Sequence, residues 1–278
     1  MQGVCLVMHD IFNKDMMSLK SKKLFLFDMD GTIYNGNVLF DGTLDLLSSI
    51  DRMGGKYVFI TNNSSRSVND YIMKLTSMGI PVTKENFFTS TQATVIYINN
   101  NCADKLIYCM GTNSFFEELS SGGINVTTEL RDDIGAVVVG FDTELNFEKI
   151  KKTCKILKRD IPYIATNPDY ACPVEWGFVP DCGAICDMLY HATKRHPVVI
   201  GKPSPTMINY VMDKFKTDLQ STVVIGDRLY TDILSGVNAG VDTVCVLTGE
   251  ATIDAIKEYK DKPTYTVNSV KDIFNAIC

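Results

Sequence analysis

No stretch of this 278-residue chain approaches the roughly 20 consecutive apolar residues that span a bilayer, so a membrane-spanning role is not expected. Basic charge is also short: Lys and Arg number 27 against 33 Asp and Glu, a net charge of -6, which argues against a nucleic-acid polymer or an anionic membrane surface as partner. Cys-x-x-Cys pairs are missing. The nine cysteines are scattered and odd in number, which favours reduced thiols in a cytoplasmic protein over a zinc site or a disulfide framework. The start, "MQGVCLVMHDIFNKDMMSLKSKK", lacks a basic n-region and has only a five-residue apolar run, Val4 to Met8, so it fails as a signal peptide. Residues 1–21 are expected to be a disordered leader, with Met16 or Met17 as alternative starts. Repeats and low-complexity segments are absent.

What the chain does have is a series of short apolar runs without alternation: Leu24–Phe27, Tyr57–Ile60, Leu106–Tyr108, Ala136–Val139, Tyr163–Ala165, Val198–Ile200, Val223–Ile225 and Thr243–Leu247. Runs of this kind suit strands buried on both faces of a parallel sheet. Helical spacings lie between them. Leu44, Leu47, Ile50 and Met53 recur at threes before Gly54, and Ser67 can cap a helix whose apolar face is Val68, Tyr71, Ile72, Leu75 and Met78 before Gly79. Alternating strand and helix predicts an α/β fold with right-handed crossovers.

Sites in such sheets form where strands end. Phe27 leads into Asp28 within "DMDGT", Ile60 into "TNNSS", Ile200 into "GKPSP" and Ile225 into "GDRLYTD". Asp28 and Asp30, two apart on extended backbone, point the same way, while Gly31 permits a sharp turn and Thr32 offers a hydroxyl. Asp227 and Asp232 arrive from another strand end. Carboxylates about 4 Å apart repel by about 4 kcal/mol per pair at an effective dielectric near 20. One lysine cannot offset three such acids, whereas Mg²⁺, which shares carboxylates with waters and phosphate, can. Phosphoryl transfer then fits the inventory. One carboxylate attacks phosphorus, another moves protons, and the Lys202 and Thr61 side chains steady the phosphoryl oxygens.

These residues resemble the four motifs of the haloacid dehalogenase superfamily: "DMDGT", Thr61, Lys202 and "GDRLYTD". The resemblance runs from about residue 22 to the C-terminus. It implies a Rossmann-like parallel-sheet core, with Asp28 as nucleophile and Asp30 as general acid/base. It also implies Mg²⁺ held by the Asp28 carboxylate, the Asp30 main-chain carbonyl and Asp227, with Asp232 in support. Asp28 to Thr61 spans 33 positions, too few for a cap domain, and Thr61 to Lys202 spans 141, ample for one. With "ATNPDY" and "PDCGAICDML" in that insert, the chain looks like the class IIA, NagD-like and p-nitrophenyl phosphatase branch, which carries an α/β, C2-type cap. The expected division is a core of 22–83 and 197–278 and a cap of 84–196.

The implied activity is hydrolysis of a small phosphorylated metabolite of nucleotide, sugar, glycolate or pyridoxal phosphate type. Thr61, Asn62, Asn63, Lys202, Asn167 and Asp169 are the expected substrate-binding residues. Caps in this branch often pair subunits, which raises a homodimer through the cap as an expectation. Trp176, the single tryptophan, either stacks on a substrate ring or packs in the cap's own core or shields a loop; His191 and His196 are read as surface or hinge residues. The rival enzyme reading is a phosphotransferase or sugar-phosphate mutase, although the known mutases mostly place their cap between the first two motifs. A receiver-like signalling domain would be far shorter, and a non-catalytic phosphate-binding protein would be expected to lack Asp28, Asp30 or Lys202.

Overall fold

A computed structural model describes residues 8–174 and 176–278. The first seven residues of the expected leader lie outside that range. The chain forms two compact units, one of residues 8–60, Lys74–Phe87 and Ile208–Cys278, the other of Thr61–Met73 and Phe88–Met207. Every apolar run singled out above falls on a strand. Among the described residues no helix is long and apolar enough to cross a membrane.

The six-stranded sheet has the order Tyr265–Val267, Asp242–Val246, Thr222–Gly226, Leu24–Phe27, Lys56–Thr61, Phe87–Thr89. The Leu24–Phe27 strand is completely buried and runs parallel to both neighbours, with Phe27 level with Ile225 on one side and Phe59 on the other. The chain builds outward from it in one direction first and only later returns to its other flank. Leu24–Phe27 and Thr222–Gly226 therefore bracket the point where strand order reverses, the place where such sheets open a crevice at their carboxyl ends. The helix expected from Leu44 onward is Thr43–Arg52; it buries Leu46, Leu47 and Ile50, while Leu44 faces outward.

Residues 8–21 are not a disordered leader. Met16 and Leu19 are completely buried, Met17–Ser21 forms a 3₁₀ turn, and Asp10 accepts the Thr266 N–H at 3.0 Å while its other oxygen caps the turn at Phe12 and Lys14. Ile11 N–H also donates to the Thr266 carbonyl. The segment is short, and its order comes from docking on the Tyr265–Val267 edge, a tertiary contact that local sequence does not announce.

The second unit has a five-stranded sheet, Val198–Val199, Tyr163–Ala165, Ile134–Val139, Leu106–Met110, Val126–Thr127, with every pair parallel. Val137, Val139, Tyr108 and Tyr163 meet Leu189 and Ile185 of the Cys182–Thr193 helix in one apolar core. An antiparallel hairpin, Ala171–Val174 with Gly177–Pro180, precedes that helix. Trp176 sits in its turn and is 78% exposed, which removes the packed-core reading of this side chain. His196 stacks on Tyr190 at 4.1 Å, and His191 lies 3.8 Å from Asp187 on the helix surface.

Candidate active site

Asp28, Asp227 and Asp232 converge in the first unit, each offering a carboxylate oxygen within 4.8 Å of the others. Asp28 follows directly on its strand, with its N–H donated to the Ile225 carbonyl at 2.8 Å, so hydrogen bonding continues past the strand end and fixes the nucleophile candidate against the neighbouring strand. Asp227 follows directly on the Thr222–Gly226 strand. Asp232 is delivered by a single wide turn, Leu229–Ile233, and accepts the Arg228 N–H at 3.1 Å. Asp227 and Asp232 are buried and Asp28 is half-buried.

Three acids this close work against each other. Burial first, and the Asp28 charge second, push Asp227 up to about 6 from its ordinary value of 3.8. Opposing that, the Glu250 N–H donates to Asp227 Oδ2 at 2.9 Å and the Thr32 hydroxyl to Oδ1 at 3.1 Å. A buried carboxylate oriented by donors and crowded by a second carboxylate is what a hard divalent cation relieves, so this donor set fits an oxygen-liganded metal.

Glycine is obligatory at two positions here. Gly31 has φ +84° and a Cβ would lie 2.6 Å from Asp227 Oδ2; at Gly249 it would lie 2.0 Å from the same atom. Backbone thus approaches the carboxylate from both sides. Thr248 ties the arrangement together by donating its hydroxyl to the Gly31 carbonyl at 2.6 Å. Asp30 lies outside the three-acid group as a side chain and is exposed.

Thr61, Asn62, Asn63 and Lys202 belong to the second unit, together with Asn167 and Asp169. The Asn63 N–H donates to Thr61 Oγ1 at 3.2 Å, and Asn63 Oδ1 accepts from both the N–H and the hydroxyl of Ser65, so this amide carbonyl builds the turn that follows the strand. Asn62 and Lys202 are buried and joined through the Asn62 side chain and the Lys202 main chain.

Asn167 is not open to solvent. It is completely buried, its amide donates to Asp169 at 3.1 Å and Asp181 at 3.0 Å, and its carbonyl accepts from Thr166 at 2.8 Å. Both N–H groups are engaged, one within the loop and one at the N-cap of the Cys182–Thr193 helix, which makes it a brace. Asp169 is half-buried.

The sequence reading missed Thr248–Glu250 and Arg228. The Arg228 Nε lies 3.2 Å from Glu250 Oε2, and the Tyr230 hydroxyl meets the same oxygen at 3.1 Å. The signal was available, because "TGE" follows the Thr243–Leu247 run and is itself a strand end. Its chemistry is mostly main-chain, which side-chain inspection overlooks.

Comparison with known proteins agrees with this geometry. Residues 25–125 match a family model described as haloacid dehalogenase-like hydrolase, and residues 199–273 match a second, HAD-hydrolase-like model. An acid sugar phosphatase of Staphylococcus haemolyticus is 34% identical, over 93% of this chain and 97% of its own. The 5'-nucleotidase YutF of Bacillus subtilis is also 34% identical, over 91% and 98%. The crystal structure of a 4-nitrophenylphosphatase from Thermotoga maritima superposes with a TM-score of 0.89 at 34% identity, covering 94% of this chain and 99% of that one. With the strand-end acids in place and relatives matched along nearly their full lengths, the chain belongs to the haloacid dehalogenase-like hydrolases, in their class IIA, NagD-like branch.

Proposed function

We propose that the protein is a Mg²⁺-dependent phosphatase that hydrolyses small phosphomonoesters through an aspartyl-phosphate on Asp28. The observation that carries this reading is the convergence of Asp28, Asp227 and Asp232 at the sheet's switch point, with Asp227 held by the Glu250 N–H and Thr32. Family membership and relatives named as phosphatases of sugar phosphates, nucleotides and nitrophenyl phosphate support the reaction class.

Each residue then has a task. An Asp28 carboxylate oxygen attacks phosphorus in line, forming the new O–P bond as the ester P–O bond breaks. Asp30, protonated, gives its proton to the departing alkoxide. Asp30, now ionised, takes a proton from water as the water oxygen attacks phosphorus, and phosphate leaves with the Asp28 carboxylate restored. The Thr61 hydroxyl accepts the Asn63 N–H, leaving its own proton to be donated to a phosphoryl oxygen. Lys202 contributes positive charge to the equatorial oxygens. Asp28, Asp227, Asp232 and the Asp30 carbonyl are the groups that would hold Mg²⁺, which when bound neutralises the crowded carboxylates and the charge developing on phosphate.

The test is phosphate release from p-nitrophenyl phosphate and from nucleotide, sugar, glycolate and pyridoxal phosphates, with Mg²⁺, with EDTA, and with Asp28→Asn. Turnover requiring both Mg²⁺ and Asp28 is expected. Folded, Mg²⁺-supplied protein that releases no phosphate from any of them would overturn the reading in favour of a transferase or a binding role.

A further inference from the structure

Asn62 follows directly on the strand that ends at Thr61, and by resemblance it was expected to touch substrate. Its geometry points elsewhere. The Asn62 Oδ1 accepts the Lys202 N–H at 2.8 Å, while Nδ2 donates to the Lys202 carbonyl at 2.9 Å. One carboxamide therefore grips both main-chain polar groups of the lysine, as a neighbouring strand would. The second N–H of the same amide donates to Asp169 Oδ2 at 2.9 Å. Both donors are thereby committed, and none remains to bind a phosphoryl oxygen.

Asp169 reinforces the orientation that the Lys202 N–H and carbonyl already set. A carboxylate only accepts, and so does the Lys202 carbonyl, so Nδ2 must face these two and Oδ1 must face the Lys202 N–H. Turning the amide over would set oxygen against oxygen at two positions and N–H against N–H at the third. Asp169 Oδ2 also accepts from Asn167, which is locked by Thr166 and Asp181. The 167–169 loop is thus tied to the lysine segment by a continuous set of side-chain hydrogen bonds. The approach is tight as well as polar. A Cβ at Gly201 would lie 2.5 Å from Asn62 Oδ1 and 2.5 Å from the Thr166 carbonyl, so the residue before the lysine has to be glycine for the grip to close.

We propose that Asn62 is a positioning residue that acts through Lys202, and that Asp169 braces it in that orientation, making the 167–169 loop a determinant of where the lysine's charge is held. The inference rests on the phosphatase reading for the task of Lys202, but the grip itself does not depend on it. Because electrostatic help to phosphoryl transfer depends on placement within about 1 Å, loosening the lysine lowers the rate of the chemical step more than it weakens substrate binding.

The experiment compares wild type, Asn62→Ala, Asp169→Ala and the double variant, on p-nitrophenyl phosphate with Mg²⁺, and adds a crystal structure of Asn62→Ala. Expected are a kcat about 10- to 100-fold lower in Asn62→Ala with KM within about threefold, and a kcat about 3- to 10-fold lower in Asp169→Ala. The double variant should be no worse than Asn62→Ala within about twofold, since both substitutions break one linkage. The crystal structure should show Lys202 displaced. A raised KM at unchanged kcat would overturn the inference in favour of direct substrate contact, as would an Asp169→Ala penalty that multiplies in full onto Asn62→Ala, or a Lys202 that has not moved. If Asn62→Ala does not fold, Asp169→Ala alone decides: unchanged kcat overturns the inference, and its expected loss with unchanged KM supports it. Absence of Asp28-dependent turnover in wild type would sink the phosphatase reading, while the position of Lys202 in the Asn62→Ala crystal would still decide the grip.

Discussion

The Glu250 N–H reaches Asp227 Oδ2 at 2.9 Å, with no atom to spare between the 248–250 loop and that carboxylate. A main-chain donor from one strand end thus orients the metal-ligand candidate at the next. Substituting Gly249→Ala sets a methyl 2.0 Å from that oxygen's present position, and the Thr32 bond on the other side prevents a simple swing. We expect the apparent Mg²⁺ affinity to fall about 10- to 100-fold, the range for disturbed ligand-orienting groups. Calorimetric titration of Mg²⁺ into the variant and the wild type measures it.

Mg²⁺ should also stabilise the fold. Binding only the native state raises stability by about 2.7 kcal/mol at 100 times the dissociation constant. Thermal melts with and without Mg²⁺ should separate for wild type and coincide for Asp227→Asn, which removes one of three converging carboxylates.

Asp30→Asn removes the proposed proton carrier, and general acid/base groups contribute about 10²- to 10⁴-fold. The deficit should be larger on alkyl phosphates, whose alkoxide needs the proton, than on p-nitrophenyl phosphate, whose leaving group departs as a stable anion. Parallel steady-state kinetics on the two substrate types checks the difference.

Glu118 gives a prediction for the pH dependence of folding. Its Oε2 is buried without a hydrogen-bond partner among the described residues, and burial, helped by the Asp70 charge, pushes the group up to about 7 from 4.5. With the folded value raised, the native state binds more protons than the unfolded chain between about pH 4.5 and 7. Stability therefore falls as pH rises through that window. Glu118→Gln should remove this dependence and be more stable than wild type at pH 8, by about 1–3 kcal/mol. Urea denaturation at pH 5 and pH 8 tests the sign.

Trp176 is exposed in a hairpin turn, so Trp176→Ala should leave thermal stability within about 0.5 kcal/mol of wild type. If the indole stacks on a leaving group, KM should rise for aromatic phosphates and not for glycolate phosphate. Comparing KM across the two classes reads this directly.

The chemistry-bearing strand ends were legible because a parallel strand buried on both faces must be a continuous apolar run, and the chain has to turn where that run stops. Asp28, Thr61, Lys202 and Asp227 all stand at such stops, so composition along a few residues was enough to find them. Periodicity placed the Thr43–Arg52 helix within a residue but misjudged its buried face, since packing and not spacing alone chose Leu46 over Leu44.

By itself, then, the sequence determined the α/β class, the parallel strands and the acids, hydroxyl and lysine that stand at strand ends, because these depend on local polarity and on short spacing. Only the tertiary structure decided that residues 8–21 dock on an edge strand, that Asn167 is a brace, that Asn62 grips the lysine's main chain and that Glu250 orients Asp227 by its N–H. Those roles come from hydrogen bonds between segments far apart in the chain, many of them made by backbone groups common to nearly every residue. A single sequence carries no local mark of which of them will meet.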